Sequence, residues 1–159
     1  MSAPSLEIER KFLVINSNYK NGITGQYYCQ GYISDAAERV VRVRIAEDIA
    51  FLTIKGKGEG ITRPEFEYEI PLPDARFLLD NLCLHPLIEK LRYKIHVNEL
   101  TWEVDEFLGE NEGLVIAEIE LPSENYPITL PDWVGEEVSF DERFYNVNLI
   151  KNPYRNWRK

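Results

Sequence analysis

The segment Glu7-Ile8-Glu9-Arg10-Lys11 places two carboxylates and an ammonium at alternate positions. Alternate side chains of a β-strand share a face, so Glu7, Glu9 and Lys11 point one way while Leu6, Ile8 and Phe12 take the other. Neighbouring carboxylates repel. A face keeps such a pair when it is fully wet or when a cation lies between them, and the oxygen-seeking cations Mg²⁺ and Mn²⁺ suit carboxylates well.

The alternation recurs along the chain. After a first strand at about 5–14, segments at about 25–34, 39–46, 50–56, 63–71, 87–96, 100–107 and 114–121 repeat the period-2 pattern and are rich in β-branched and aromatic residues. Their polar faces carry, in order, Tyr28, Gln30 and Tyr32; Arg42 and Arg44; Thr53 and Lys55; Arg63, Glu65, Glu67 and Glu69; Lys90, Arg92 and Lys94; Glu103 and Asp105; Glu118 and Glu120. An antiparallel sheet with one wet face alternates in this way without any function. The sorting of sign by strand is what differs, because solvated faces mix signs and like neighbours are unfavourable.

Cations on the third, fourth and sixth strands and carboxylates on the first, fifth, seventh and eighth make two opposed walls. Such walls suit a ligand that bears both signs, a polyphosphate chelated by divalent metal, with phosphate oxygens toward Arg and Lys and metal toward Glu and Asp. Eight strands can close into a barrel whose interior holds one small ligand. Inward charges are tolerable there when hydrated and neutralised. The expected fold is therefore mainly β (α+β), an eight-stranded antiparallel β-barrel forming a tunnel, with flanking helices over its apolar outer face. Residues 73–82 read as one helix, opened by Pro73 and Asp74. Residues 141–150 read as a second, with Phe144, Val147 and Ile150 at helical spacing before Pro153. The C-terminal region with Trp133 and Trp157 supplies further cover.

The 159 residues, 44% of them hydrophobic, fit one domain over 1–159. A net charge of −9 argues against sequence-independent binding to nucleic acid or to an anionic membrane. No apolar run approaches the roughly 18 residues that span a bilayer, and Met1-Ser2-Ala3-Pro4-Ser5 lacks the regions of a signal peptide. Cys29 and Cys83 show no metal-ligand spacing, and a reduced, cytoplasmic setting is the simplest reading. The glycine-rich run Lys55 to Gly60 lacks the phosphate-loop pattern and reads as a hairpin connection. A homodimer is compatible with these features.

Taken in order, Glu7-Ile8-Glu9-Arg10-Lys11, Arg42-Val43-Arg44, Thr53-Ile54-Lys55, Glu67-Tyr68-Glu69, Glu89-Lys90-Leu91-Arg92, Asp105 and Glu118-Ile119-Glu120 resemble the CYTH superfamily, the triphosphate tunnel metalloenzymes. Gln30-Gly31-Tyr32 and the compact length look most like its small bacterial members, which hydrolyse inorganic tripolyphosphate. The resemblance implies a triphosphate substrate, hydrolysis to pyrophosphate and phosphate, and a requirement for Mg²⁺ or Mn²⁺. It implies that Lys11, Arg42, Arg44, Lys55, Lys90 and Arg92 bind phosphates and that Glu7, Glu9, Glu118 and Glu120 hold the metal. Glu67, Glu69 and Asp105 would serve a second metal or position the attacking water, and Tyr32 and Lys90 would act near the scissile phosphate. Glu65 is then a spare acid near the tunnel mouth. A class IV-type adenylate cyclase or a thiamine or nucleoside triphosphatase would use the same walls. A non-catalytic polyphosphate-binding module would use them without turnover.

Overall fold

The computed structural model describes residues 5–157; the Met1–Pro4 stretch considered above for targeting signals lies outside them. Eight strands close a ring: β1 (Leu6–Val14), β2 (Gln26–Ala36), β3 (Arg39–Ala46), β4 (Ile49–Gly56), β5 (Thr62–Ile70), β6 (Ile88–Val97), β7 (Leu100–Phe107) and β8 (Val115–Glu120). Their spatial order is β5-β4-β3-β2-β6-β7-β8-β1, with β1 returning to β5, and every pairing is antiparallel. The closing seam is short, matching only Leu6 with Pro64, Glu7 with Arg63 and Ile8 with Thr62. Further along β1 the same edge takes a ninth strand, β9 (Val134–Glu137). Four residues are too few for alternation to announce a strand, so β9 was not legible in the sequence.

The barrel is inverted relative to an ordinary core. Its outer wall is apolar and covered. Phe12, Trp102, Val104, Ala117 and Ile119 face outward and pack with Tyr19, Tyr93 and Trp133, and the Trp102 and Trp133 rings meet edge to face at 5.5 Å. Over β2, β3 and β4 lies α1 (Leu72–Asn81), one residue earlier than the spacing predicts, burying Ala75 and Leu79 against Val43 and Ala50. Gly31 permits that approach. A Cβ there would stand 3.1 Å from Leu79 Cδ2 of α1 and 2.9 Å from Cys83 Cβ just beyond the helix.

The helix expected over 141–150 is not continuous. A short 3-10 turn (Glu142–Phe144) is followed by extended Tyr145 and a four-residue helix, α2 (Asn146–Leu149). The break lets Phe144, Leu149 and Ile150 reach an apolar cluster with the inward-facing Tyr32, Val40, Ile88, Phe107 and Ile116. Burial of those side chains outweighs the local helical period. This segment stoppers one part of the barrel's end from within.

Candidate active site

Residues directly opposite in neighbouring strands share a face, so the pairing register lays out the interior. One row runs Tyr32, Arg42, Thr53, Glu67; the next runs Gln30, Arg44, Phe51, Glu69. On the other side Lys11 lies opposite Glu118, Glu118 opposite Glu103, and Glu9 opposite Glu120. Between them is a cavity of about 450 Å³. It is lined by Glu7, Glu9, Lys11, Tyr32, Arg42, Arg44, Lys55, Lys90, Arg92 and Glu118, and by the β2–β3 turn, the β4–β5 hairpin and the segment from Ser139 to Asn148.

The cations are held individually. Lys90, 1% exposed, sits 2.8 Å from Asp105 Oδ2 and donates to Asn146 Oδ1 at 2.9 Å. Burial pushes its ammonium down to about 7, aided by Arg92 and Arg44 and opposed by Asp105. Arg92 grips both oxygens of Asp105, at 2.7 and 2.9 Å, and donates to Glu103 at 3.1 Å. Arg44 donates to Gln30 Oε1 at 3.1 Å; burial and the nearby Arg42 and Arg92 pull it down to about 10. Arg42 donates to Thr53 at 3.3 Å and lies 3.5 Å from Glu67, and its buried Nε has no hydrogen-bond partner. A buried, unpartnered guanidinium N–H calls for an acceptor from outside the protein. Lys55 lies 3.0 Å from Glu7, and Lys11 lies 3.3 Å from Glu118 and donates to the Phe144 carbonyl at 3.2 Å.

The carboxylates divide by environment. Against the cost of burial, Lys55 and Arg63 hold Glu7 at about 2, and Lys11 and Arg92 hold Glu118 well below the usual range. Burial, with Glu118 and Glu7 adding to it, drives Glu9 well above that range. Among the described residues no group of three His, Cys, Asp or Glu side chains forms a metal cage. The set fits a metal of another kind: Mg²⁺ is commonly held by one or two carboxylates with substrate phosphates completing its shell. Glu9, crowded by acids and with Glu118 and Glu7 beside it, is where a cation would relieve the most repulsion.

All six cations expected to bind phosphate line the cavity, as do Tyr32, Glu7, Glu9 and Glu118. Asp105 lies behind its surface, bound to Lys90 and Arg92. Glu120 and Glu69 are exposed, and Glu67 reaches in only through Arg42 and Thr53. Glu65 lies on the mouth side of β5, opposite Lys55. Burial, opposed by Lys55 and reinforced by Glu7, pushes it up to about 7. The sequence pattern did not mark Asn146 or Tyr145, and it placed Arg63 on the inward face of β5 without giving it a site role.

An antiparallel barrel that turns its charges inward, base against acid around one cavity, defines a charged-tunnel protein built for an anion bearing metal. The chain belongs to the CYTH domain family, whose model matches residues 5–145, and metal dependence is general among these triphosphate tunnel metalloenzymes. It is 55% identical over 153 residues to an inorganic triphosphatase of Acetivibrio thermocellus, covering 96% of this chain and 98% of that one. It is 33% identical over 149 residues to an inorganic triphosphatase of Nitrosomonas europaea, covering 90% and 95%. A crystal structure of an inorganic triphosphatase superposes with a TM-score of 0.64 at 29% identity, over 91% of this chain and 97% of that one. No helix among the described residues is long and apolar enough to cross a membrane.

Proposed function

We propose that the chain hydrolyses inorganic tripolyphosphate to pyrophosphate and phosphate with Mg²⁺ or Mn²⁺. One observation carries the reading. Lys11, Arg42, Arg44, Lys55, Lys90 and Arg92 converge on a single cavity, and Arg42 holds a buried N–H toward no protein acceptor. The full-length likeness to two inorganic triphosphatases supports the same substrate.

Phosphoryl transfer asks mainly for positioning and neutralised charge. Arg42, Arg44, Arg92, Lys11 and Lys55 bind phosphate oxygens, and Glu9 with Glu118 and Glu7 would hold the metal. Bound there, it would supply positive charge against the phosphate oxygens. Water attacks the terminal phosphorus; a P–O bond forms on its side and the bridging P–O bond opposite breaks. Glu67, the β5 carboxylate beside Arg42, takes the proton from that water. Lys90, with an ammonium near 7, can return a proton to the leaving oxygen at neutral pH, and Tyr32 lines the same cavity. Asp105 acts here as counter-ion to Lys90 and Arg92.

The test is phosphate release from tripolyphosphate, pyrophosphate, ATP and thiamine triphosphate, each with Mg²⁺, Mn²⁺ or chelator. Fast, metal-dependent release from tripolyphosphate is expected. Faster turnover of ATP, or full activity in chelator, overturns the assignment.

A further inference from the structure

Asn146 opens α2 in a segment whose sequence carries no site pattern, yet its side chain enters the cavity. Its Oδ1 accepts two hydrogen bonds, from Lys90 Nζ at 2.9 Å and from Gln30 Nε2 at 3.1 Å. Donor and acceptor logic fixes both amides. Arg44 has only donors, so Gln30 must turn Oε1 toward it, at 3.1 Å, and its NH₂ toward Asn146. The Asn146 oxygen then faces Gln30 and Lys90.

The consequence falls on Lys90. An ammonium has three N–H bonds in tetrahedral directions. Asn146 Oδ1 takes one as a hydrogen bond, and Asp105 Oδ2 pairs with the charge at 2.8 Å. These two contacts restrict where the remaining N–H bonds point, and Lys90 lines the cavity. Without Asn146 the ammonium is free to turn about its contact with Asp105.

The segment that carries Asn146 is itself clamped to β1. Ser139 Oγ accepts from Lys11 N at 2.9 Å, Val138 N donates to Lys11 O at 2.8 Å, and Tyr145 Oη donates to Ser139 O at 3.0 Å. Asn146 is thus held against Lys90 by contacts that do not involve Lys90.

We infer that Asn146 is a positioning residue, which aims the Lys90 ammonium at the leaving oxygen of the bound phosphate chain through its carboxamide oxygen. The role rests on the hydrolytic reading above. It differs from a plain structural role, in which Asn146 only pins the C-terminal segment to the barrel.

The experiment compares wild type, Asn146→Leu and Asn146→Asp by kcat, KM and melting temperature with tripolyphosphate and Mg²⁺. The leucine has similar size and no acceptor. It should lower kcat about 10- to 100-fold, the order expected for losing a hydrogen bond to a charged group, with KM changed by less than about 3-fold. The aspartate keeps the acceptor. It should hold kcat within about 3-fold while raising KM, since a carboxylate then faces the phosphates. Asn146→Ser, too short to reach Lys90, replaces the leucine variant if that one does not fold. A leucine or serine variant with wild-type kcat overturns the role, and so does an aspartate variant as slow as the leucine one. An inactive wild type sinks the hydrolytic reading first and this role with it.

Discussion

Two buried corners of the barrel meet their charges in opposite ways. At β6 and β7, Lys90, Arg92 and Asp105 are nearly inaccessible, at 1%, 4% and 1% exposure, and the protein itself mates them with Asp105, Glu103 and Asn146. At β1 and β8, Glu9 lies opposite Glu120 and close to Glu118 and Glu7. There the lysines neutralise Glu7 and Glu118 but leave Glu9 crowded. The first corner is finished by the fold, so its cations are oriented before any phosphate arrives. The second keeps a repulsion that a bound cation, or a proton on Glu9, removes. Removing a carboxylate charge should therefore shift stability in opposite directions at the two.

The largest expected effect breaks the finished corner. Asp105→Ala leaves Lys90 and Arg92 buried without their shared counter-ion, and removing one partner of such a pair costs about 3–5 kcal/mol. Thermal or denaturant unfolding should show that loss, together with loss of hydrolysis. A melting temperature within a degree of wild type would contradict the claim that the fold depends on this triad. Glu9→Gln should do the reverse. It removes a charge the native state disfavours, so the metal-free protein should melt higher, by about 2–4 °C if the gain is on the order of 1 kcal/mol. The same change should cut metal-dependent hydrolysis by roughly 100- to 1000-fold, the range seen when a key charge-stabilising group is lost.

The contrast has a pH signature of smaller size. Glu9 has a native pKa well above its ordinary value, through burial and its acidic neighbours. As pH rises above about 4.5, the unfolded chain gives up this proton first. The native state then binds more protons than the unfolded one, and Glu9 subtracts from stability increasingly until its native pKa is passed. The advantage of Glu9→Gln should accordingly be small near pH 5 and larger near pH 8. Metal binding needs the carboxylate ionised, so it should release protons and tighten as pH rises. Calorimetry in buffers of different ionisation heat measures this directly; binding heats independent of the buffer would remove Glu9 from the metal site.

Much of this contrast was legible in the sequence. Alternation reports which face a side chain takes, and the inward faces of all eight strands follow from it. That sign sorting survived folding because each strand keeps its polar face inward along the register. Alternation does not report depth or partner. Asp105 and Glu118 look alike as inward acids, yet one lies behind the cavity wall, bound to two cations, and the other lines the cavity. The stopper was less legible still. Phe144, Val147 and Ile150 carry a helical period, but the chain bends at Tyr145 because the Phe144 carbonyl reaches Lys11 and Asn146 reaches Lys90, contacts more than fifty residues away in sequence. A local pattern holds no record of them.

The smallest effect concerns β5, where three acids share the inward face beside β4 and β1. Glu69 lies opposite Phe51, outside the cavity and exposed. Water screens it, so Glu69→Gln should change kcat/KM by less than about 3-fold, in keeping with surface substitutions. Glu65 lies opposite Lys55 and interacts with Glu7. Its loss frees Lys55 to bind Glu7 more closely and withdraws that lysine from the phosphates. Glu65→Gln should therefore lower kcat/KM about 10-fold, mostly through KM, while Lys55→Ala made in the same background should add less than it does alone, because the two residues act through one contact. Additive losses would separate Glu65 from Lys55. A Glu69 effect larger than the Glu65 effect would move the working end of β5 away from the mouth, to the side where Glu120 is exposed.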